Sequence, residues 1–174
     1  MGSWGVRAHE SDYGLDLLSA AVEKYLRGVK FKTFHVRHVL EIMRSDIIDR
    51  FAKESYGWEP EYTDFFYGYT FKYNFAYAVI LVAECFAEYR QNGAYLVYDF
   101  ATEKTKKRQV KDFIFTEKDL YELQTELQSI LVPKHPLHDS WADSERFSEW
   151  QTHIQTLCDT LSQAIVEAGG DDYA

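Results

Sequence analysis

Phe75-Ala-Tyr-Ala-Val-Ile-Leu-Val-Ala83 is the longest apolar run in the chain, and it lies inside the stretch Tyr69–Gly93. Within that stretch Phe71, Phe75, Val79, Val82 and Phe86 recur at helical spacing, and Tyr69, Tyr73, Ala76, Ile80, Ala83 and Ala87 form a second stripe. A helix apolar on most of its circumference is stable only when buried on most sides. The run is far shorter than the ~20 residues that span a bilayer, and Lys72, Asn74, Glu84 and Glu88 bracket it. The stretch therefore predicts a central core helix that stops at Asn92-Gly93, where glycine takes the left-handed C′ conformation.

The neighbouring segments are amphipathic helices that such a core helix needs. Ser11 or Asp12 caps a first helix with Leu15, Leu18, Val22, Tyr25 and Leu26 on one face, and Gly28 stops it. Val29–Phe34 reads as a linker, extended or a very short strand, and Thr33 caps a second helix. In that helix Val36, Val39, Leu40, Met43, Ile47 and Phe51 repeat at i, i+3, i+4. Residues 57–62 form a loop around Pro60.

After Gly93, Tyr95–Phe100 and Val110–Phe115 are β-branched and aromatic, of strand length, and joined by a polar stretch. They predict at most a small β-hairpin, with helix as the alternative. Thr116 and Asp119 make a capping box, with Phe115 and Leu120 as its hydrophobic staple. The fourth helix buries Leu120, Leu123, Leu127, Ile130 and Leu131 and breaks at Pro133 and Pro136. Ser140 opens a last helix, striped by Phe147, Trp150, Ile154, Leu157, Leu161 and Ile165, that ends at Gly169-Gly170. The expectation is mainly α: a single-domain bundle of about five helices over residues 1–170, with 171–174 a mobile acidic tail.

Composition narrows the function classes. The chain has 174 residues, suited to one domain with a substantial core, and 17 % aromatics to fill it. A net charge of −9 excludes general binding to a nucleic-acid backbone. Two cysteines in this length make no disulfide framework, and Met1–Asp16 has no signal-peptide core. A cytoplasmic protein without a membrane span is expected. Cys85 and Cys158 fall on helix faces and read as buried, unpaired thiols.

Met1-Gly-Ser-Trp-Gly5, followed by Glu10-Ser-Asp-Tyr-Gly-Leu-Asp16, resembles the opening of the bacterial domain of unknown function 4259 family. Its members begin Met-Gly-Ala-Trp-Gly and continue Glu-Ser/Asn-Asp, then Leu-Asp; Ser3 stands here in place of the usual alanine. Looser similarity returns at Phe115-Thr-x-Lys-Asp-Leu120 and Glu149-Trp-Gln-x-His153. The resemblance implies a bacterial cytoplasmic protein and supplies no activity. Physically, glycine beside Trp4 allows the backbone at Gly5 to pass close to other elements while the indole is buried, a structural clasp. Asp12 and Asp16 suit the positive end of the first helix.

No phosphate loop, dinucleotide fingerprint, nucleophile elbow or zinc-protease helix occurs, and no cofactor is expected. The leading expectation is a non-catalytic protein-binding module, immunity- or adaptor-like, that captures a basic protein partner. Its contact residues would be Glu10, Asp12, Asp16, Asp143, Glu145 and Glu149. One alternative is an enzyme with a carboxylate/histidine site drawn from Glu10, Asp12, Glu84 and His153, favoured if two or more of them converge at a pocket. Another is a metal protein at His135 and His138, which share a proline-bounded loop with Asp139 but lack a cysteine. Glu84 interrupts the apolar run, so it needs a partner or a raised pKa; a surface groove or an arginine is the expected answer.

Overall fold

The computed structural model describes residues 5–54, 64–99 and 106–170. Among the described residues six α-helices carry the fold: α1 Asp12–Ala21, α2 Val36–Glu54, α3 Phe71–Asn92, α4 Glu117–Ile130, α5 Pro136–Ala142 and α6 Phe147–Gly170. Four short strands accompany them: β1 Thr33–His35, β2 Tyr95–Asp99, β3 Lys106–Val110 and β4 Asp112–Ile114.

Helix α3 is the centre. Every residue from Ala76 to Phe86 is buried, and α1, α2, α4, α5 and α6 all pack on it. Gly93 terminates it at φ 67°, with its N–H on the Tyr89 carbonyl at 2.7 Å, as the sequence predicts. Within α1, the Ser11 hydroxyl accepts the Gly14 N–H at 3.0 Å, the expected cap. The helix then loosens into a π turn over Val22–Leu26. Helix α4 has the expected reciprocal box: Thr116 N–H to Asp119 Oδ2 at 2.8 Å and Asp119 N–H to Thr116 Oγ1 at 3.1 Å.

Three boundaries differ from the expectation. The residues 33–35 are strand, so α2 starts at Val36 rather than after a Thr33 cap. The β1 strand pairs in parallel with β4, Phe34 opposite Phe113, and the two rings stack at 4.6 Å. The hairpin partner of β2 is Lys106–Val110, not Val110–Phe115; that second run instead supplies β4. The lysine- and arginine-rich end of the polar stretch is thus an edge strand, where charged side chains are at home because one face meets water. The single last helix expected from Ser140 is two. Ser144 interrupts it, its hydroxyl accepting the Arg146 N–H at 3.2 Å and its carbonyl the Phe147 N–H at 3.0 Å. Trp4 and the 171–174 tail lie outside the described residues.

One contiguous cluster of buried side chains runs through all six helices and both strand pairs. Its aromatic share is used in layers: Trp150 stacks between Trp141 and Phe147, each at 5.8 Å, and Phe113 stacks on Tyr89 at 4.4 Å. Full burial of a Leu, Ile or Phe side chain stabilises by about 1.5–3 kcal/mol. Both cysteines are free and buried within this core. No helix of the described residues is long and apolar enough to cross a membrane.

Candidate functional site

The site begins with the acid that interrupts the core helix. Glu84 is only 5 % exposed, on the α3 face that looks toward the chain's first turn and α6. Its hydrogen-bond partners are two histidines and two backbone N–H groups rather than the arginine named as one expectation, and it borders two cavities. Oε1 accepts the Ala8 N–H at 2.8 Å and faces His153 Nε2 at 2.8 Å. Oε2 faces His9 Nδ1 at 3.0 Å and accepts the His9 N–H at 3.4 Å.

Local chemistry brings these donors together. The Glu10 carboxylate accepts the Arg7 N–H at 3.1 Å, and the Ser11 hydroxyl donates to the Ala8 carbonyl at 2.7 Å. These bonds hold Ala8–Glu10 in a single 3₁₀ turn whose Ala8 and His9 N–H groups point at Glu84. Close approach is needed at two glycines. A Cβ on Gly14 would overlap the Ala8 carbonyl, and one on buried Gly5 would overlap the Glu10 side chain. His153 comes from α6, one turn past Trp150.

Burial pushes the Glu84 carboxyl up, but the hydrogen bonds from His153 and His9 outweigh it and pull the pKa down to about 2. The group is a carboxylate, and a carboxylate only accepts hydrogen bonds. It therefore fixes both tautomers: His9 carries its proton on Nδ1, and His153 on Nε2. The opposite ring nitrogens, His9 Nε2 and His153 Nδ1, are left without a protein partner among the described residues.

Each histidine borders a different cavity. His9, its side chain 37 % exposed, lines a pocket of about 450 Å³ beside α1, α3 and β2. Leu15, Leu18 and Leu81 form its apolar wall, with Leu96, 44 % exposed, at the rim. Arg7, Glu88 and Lys107 supply its charge. Tyr95 and Cys85 close one side, and burial pushes both pKa values well up. His153 lines a smaller cavity of about 280 Å³, which shares Arg7, Glu84 and Glu88 with the first.

The structure disperses the other candidates. Glu10 accepts the Arg7 N–H, and Glu149 is held by Arg146, whose guanidinium grips it at 2.8 and 2.7 Å. That grip holds the Glu149 carboxyl below its ordinary range. Asp16 pairs with Arg50 at 3.1 Å, across to α2. Asp12 is exposed in the first turn of α1, and Asp143 and Glu145 are exposed in the turn between α5 and α6. His135 caps α5, its Nδ1 accepting the Leu137 N–H at 3.2 Å. His138 is buried against Phe147 and Trp150, with Nδ1 3.2 Å from Asp139. Both rings thus have structural employment, and no group of three His, Cys, Asp or Glu among the described residues is placed to hold a metal. Burial also raises both cysteine pKa values, that of Cys158 to about 11, which leaves neither thiol primed as a nucleophile.

Glu84 and His153 were legible as candidates, and they do converge. His9 was missed, because nothing in its own neighbourhood marks it. The signal available was the need of a core carboxylate for donors. No protein-family model, curated protein or solved structure matches the chain.

Proposed function

We propose that the protein works by binding a small molecule in the 450 Å³ pocket, with His9 as the group that exchanges a proton with it. The observation that carries this reading is the Glu84–His9 bond at the pocket's edge: a buried carboxylate fixes the imidazole tautomer and leaves Nε2 free. A carboxylate that orients a histidine is the arrangement used for general acid–base chemistry. The volume falls within the ~300–1,000 Å³ of ligand sites, and apolar walls with few polar groups are their usual make-up. Of the four residues in the carboxylate/histidine alternative raised by the sequence, Glu84 alone lines this pocket; Glu84 and His153 meet at the neighbouring 280 Å³ cavity, and His9 is the histidine here.

Protein binding through an acidic face remains the second reading, supported by the net charge of −9. Its six residues do not make one patch. Asp16 and Glu149 are held by arginines, and Glu10 is turned to the Arg7 backbone. The resemblance to the family of unknown function fits either reading.

The test is a metabolite-library screen by NMR, following the His9 imidazole and the methyls of Leu15, Leu18, Leu81 and Leu96. Binders that move these resonances together, and lose affinity in His9→Gln, are expected. A screen in which no compound moves them, while a basic protein binds with salt-sensitive affinity, transfers the function to the acidic surface.

A further inference from the structure

The inventory of hydrogen-bonding capacity around the pocket bears on what fills it. Glu84 faces it as a carboxylate, yet two backbone N–H groups and two imidazoles already occupy its oxygens. It therefore offers little to a ligand's donors. Glu88 is half-committed, with Oε1 accepting the Leu96 N–H at 3.4 Å. Against these stand two cations. Arg7 is exposed, borders both cavities and makes no ion pair among the described residues. Lys107 reaches the rim from β3. The wall opposite is leucine, and Leu96 keeps nearly half its surface in water.

We infer that the pocket takes a small monocarboxylate with an apolar body: the chain or ring against Leu15, Leu18, Leu81 and Leu96, the carboxylate at Arg7. This rests on the pocket reading above and specifies its ligand class. A planar guanidinium matches a carboxylate in a two-bond fork, which an amine or alcohol cannot reproduce. The apolar body accounts for an exposed leucine that contributes little to the fold. Glu88 opposes the ligand's charge, so it weakens the binding that Arg7 strengthens.

The probes are octanoate, octan-1-ol, octylamine and acetate, titrated into the full chain by calorimetry with NMR mapping to the pocket leucines. Octanoate is expected to bind about fivefold or more tighter than octanol and octylamine, because a charge-assisted fork is available only to it. Acetate, lacking the apolar body, is expected not to bind measurably. The variants Arg7→Gln and Glu88→Gln separate charge from fold by moving in opposite directions: weaker by about threefold or more in the first, tighter in the second. Circular dichroism and melting of each variant confirm that the fold is kept. Preference for octylamine or octanol overturns the carboxylate and leaves the pocket standing; equal binding of acetate overturns the apolar body. Unchanged or stronger binding in Arg7→Gln, or weaker binding in Glu88→Gln, overturns the charge argument. Failure of all four probes to bind overturns the inference, while hits of other chemistry in the library screen would still uphold the pocket.

Discussion

Replacing Glu84 with glutamine changes one atom and tests the whole network. The carboxylate receives four N–H donors, two on each oxygen. Glutamine keeps one oxygen and turns the other into an NH₂ donor. At the Oε1 position that NH₂ would face Ala8 N–H and His153; at Oε2 it would face both donors of His9. An imidazole can move its proton and become the acceptor, but a backbone N–H cannot. One backbone donor is opposed either way. Losing a hydrogen bond to a charged group costs about 1.5–3 kcal/mol, and an unsatisfied buried donor adds to it. An independent route gives the same size: lowering the carboxyl from 4.5 to about 2 corresponds to roughly 3 kcal/mol of stability at neutral pH. We expect Glu84→Gln to destabilise by about 3 kcal/mol at pH 7, and to lower Tm by about 10 °C in a chain of this length.

The pH dependence sharpens the test. Because the folded carboxyl titrates below the unfolded one, its contribution is complete above pH 4.5 and is lost as the pH falls toward about 2. Glutamine mimics the protonated acid, so the gap between parent and variant should close by about half near pH 3. Urea denaturation at pH 7 and pH 3 measures both values. A variant within about 0.5 kcal/mol of the parent at pH 7, or a gap that does not change with pH, refutes the reasoning.

Other expectations follow from the same geometry. Gly14→Ala should cost about 1–3 kcal/mol by urea denaturation, because its Cβ has to displace the Ala8 carbonyl and with it the donors to Glu84. Thr116→Ala should cost about 1 kcal/mol by removing one half of the α4 cap, with no effect on the histidine resonances. Cys85 and Cys158 should resist a thiol reagent in the native state and react after denaturation; prompt labelling of the native protein would place a thiol outside the core.

The parts of this architecture visible in the sequence are those that local chemistry decides. Ser11, the Thr116–Asp119 box and Gly93 each act on residues within four positions, and each stands where it was read. The apolar run of α3 announced a buried helix, because no other arrangement hides so much surface. What escaped depends on partners far along the chain. Strand β1 exists because β4 lies beside it, and Phe34 finds Phe113 across 79 positions. A stretch rich in lysine and arginine became strand because Tyr95–Asp99 offered an open edge. At the site, Glu84 stands 75 residues from His9 and 69 from His153. Its demand for donors could be read, and their identity could not. Glu149, four residues before His153, satisfies Arg146 instead.

One buried carboxylate sets the tautomers of two histidines and leaves a basic nitrogen of His9 at the pocket. Long-range ¹H–¹⁵N spectra of the imidazoles, recorded at alkaline pH where neutral rings predominate, test it directly. They should show His9 protonated on Nδ1 and His153 protonated on Nε2, with both assignments disturbed in Glu84→Gln. A His9 ring protonated on Nε2, or rings that average freely between tautomers in the parent protein, would contradict it.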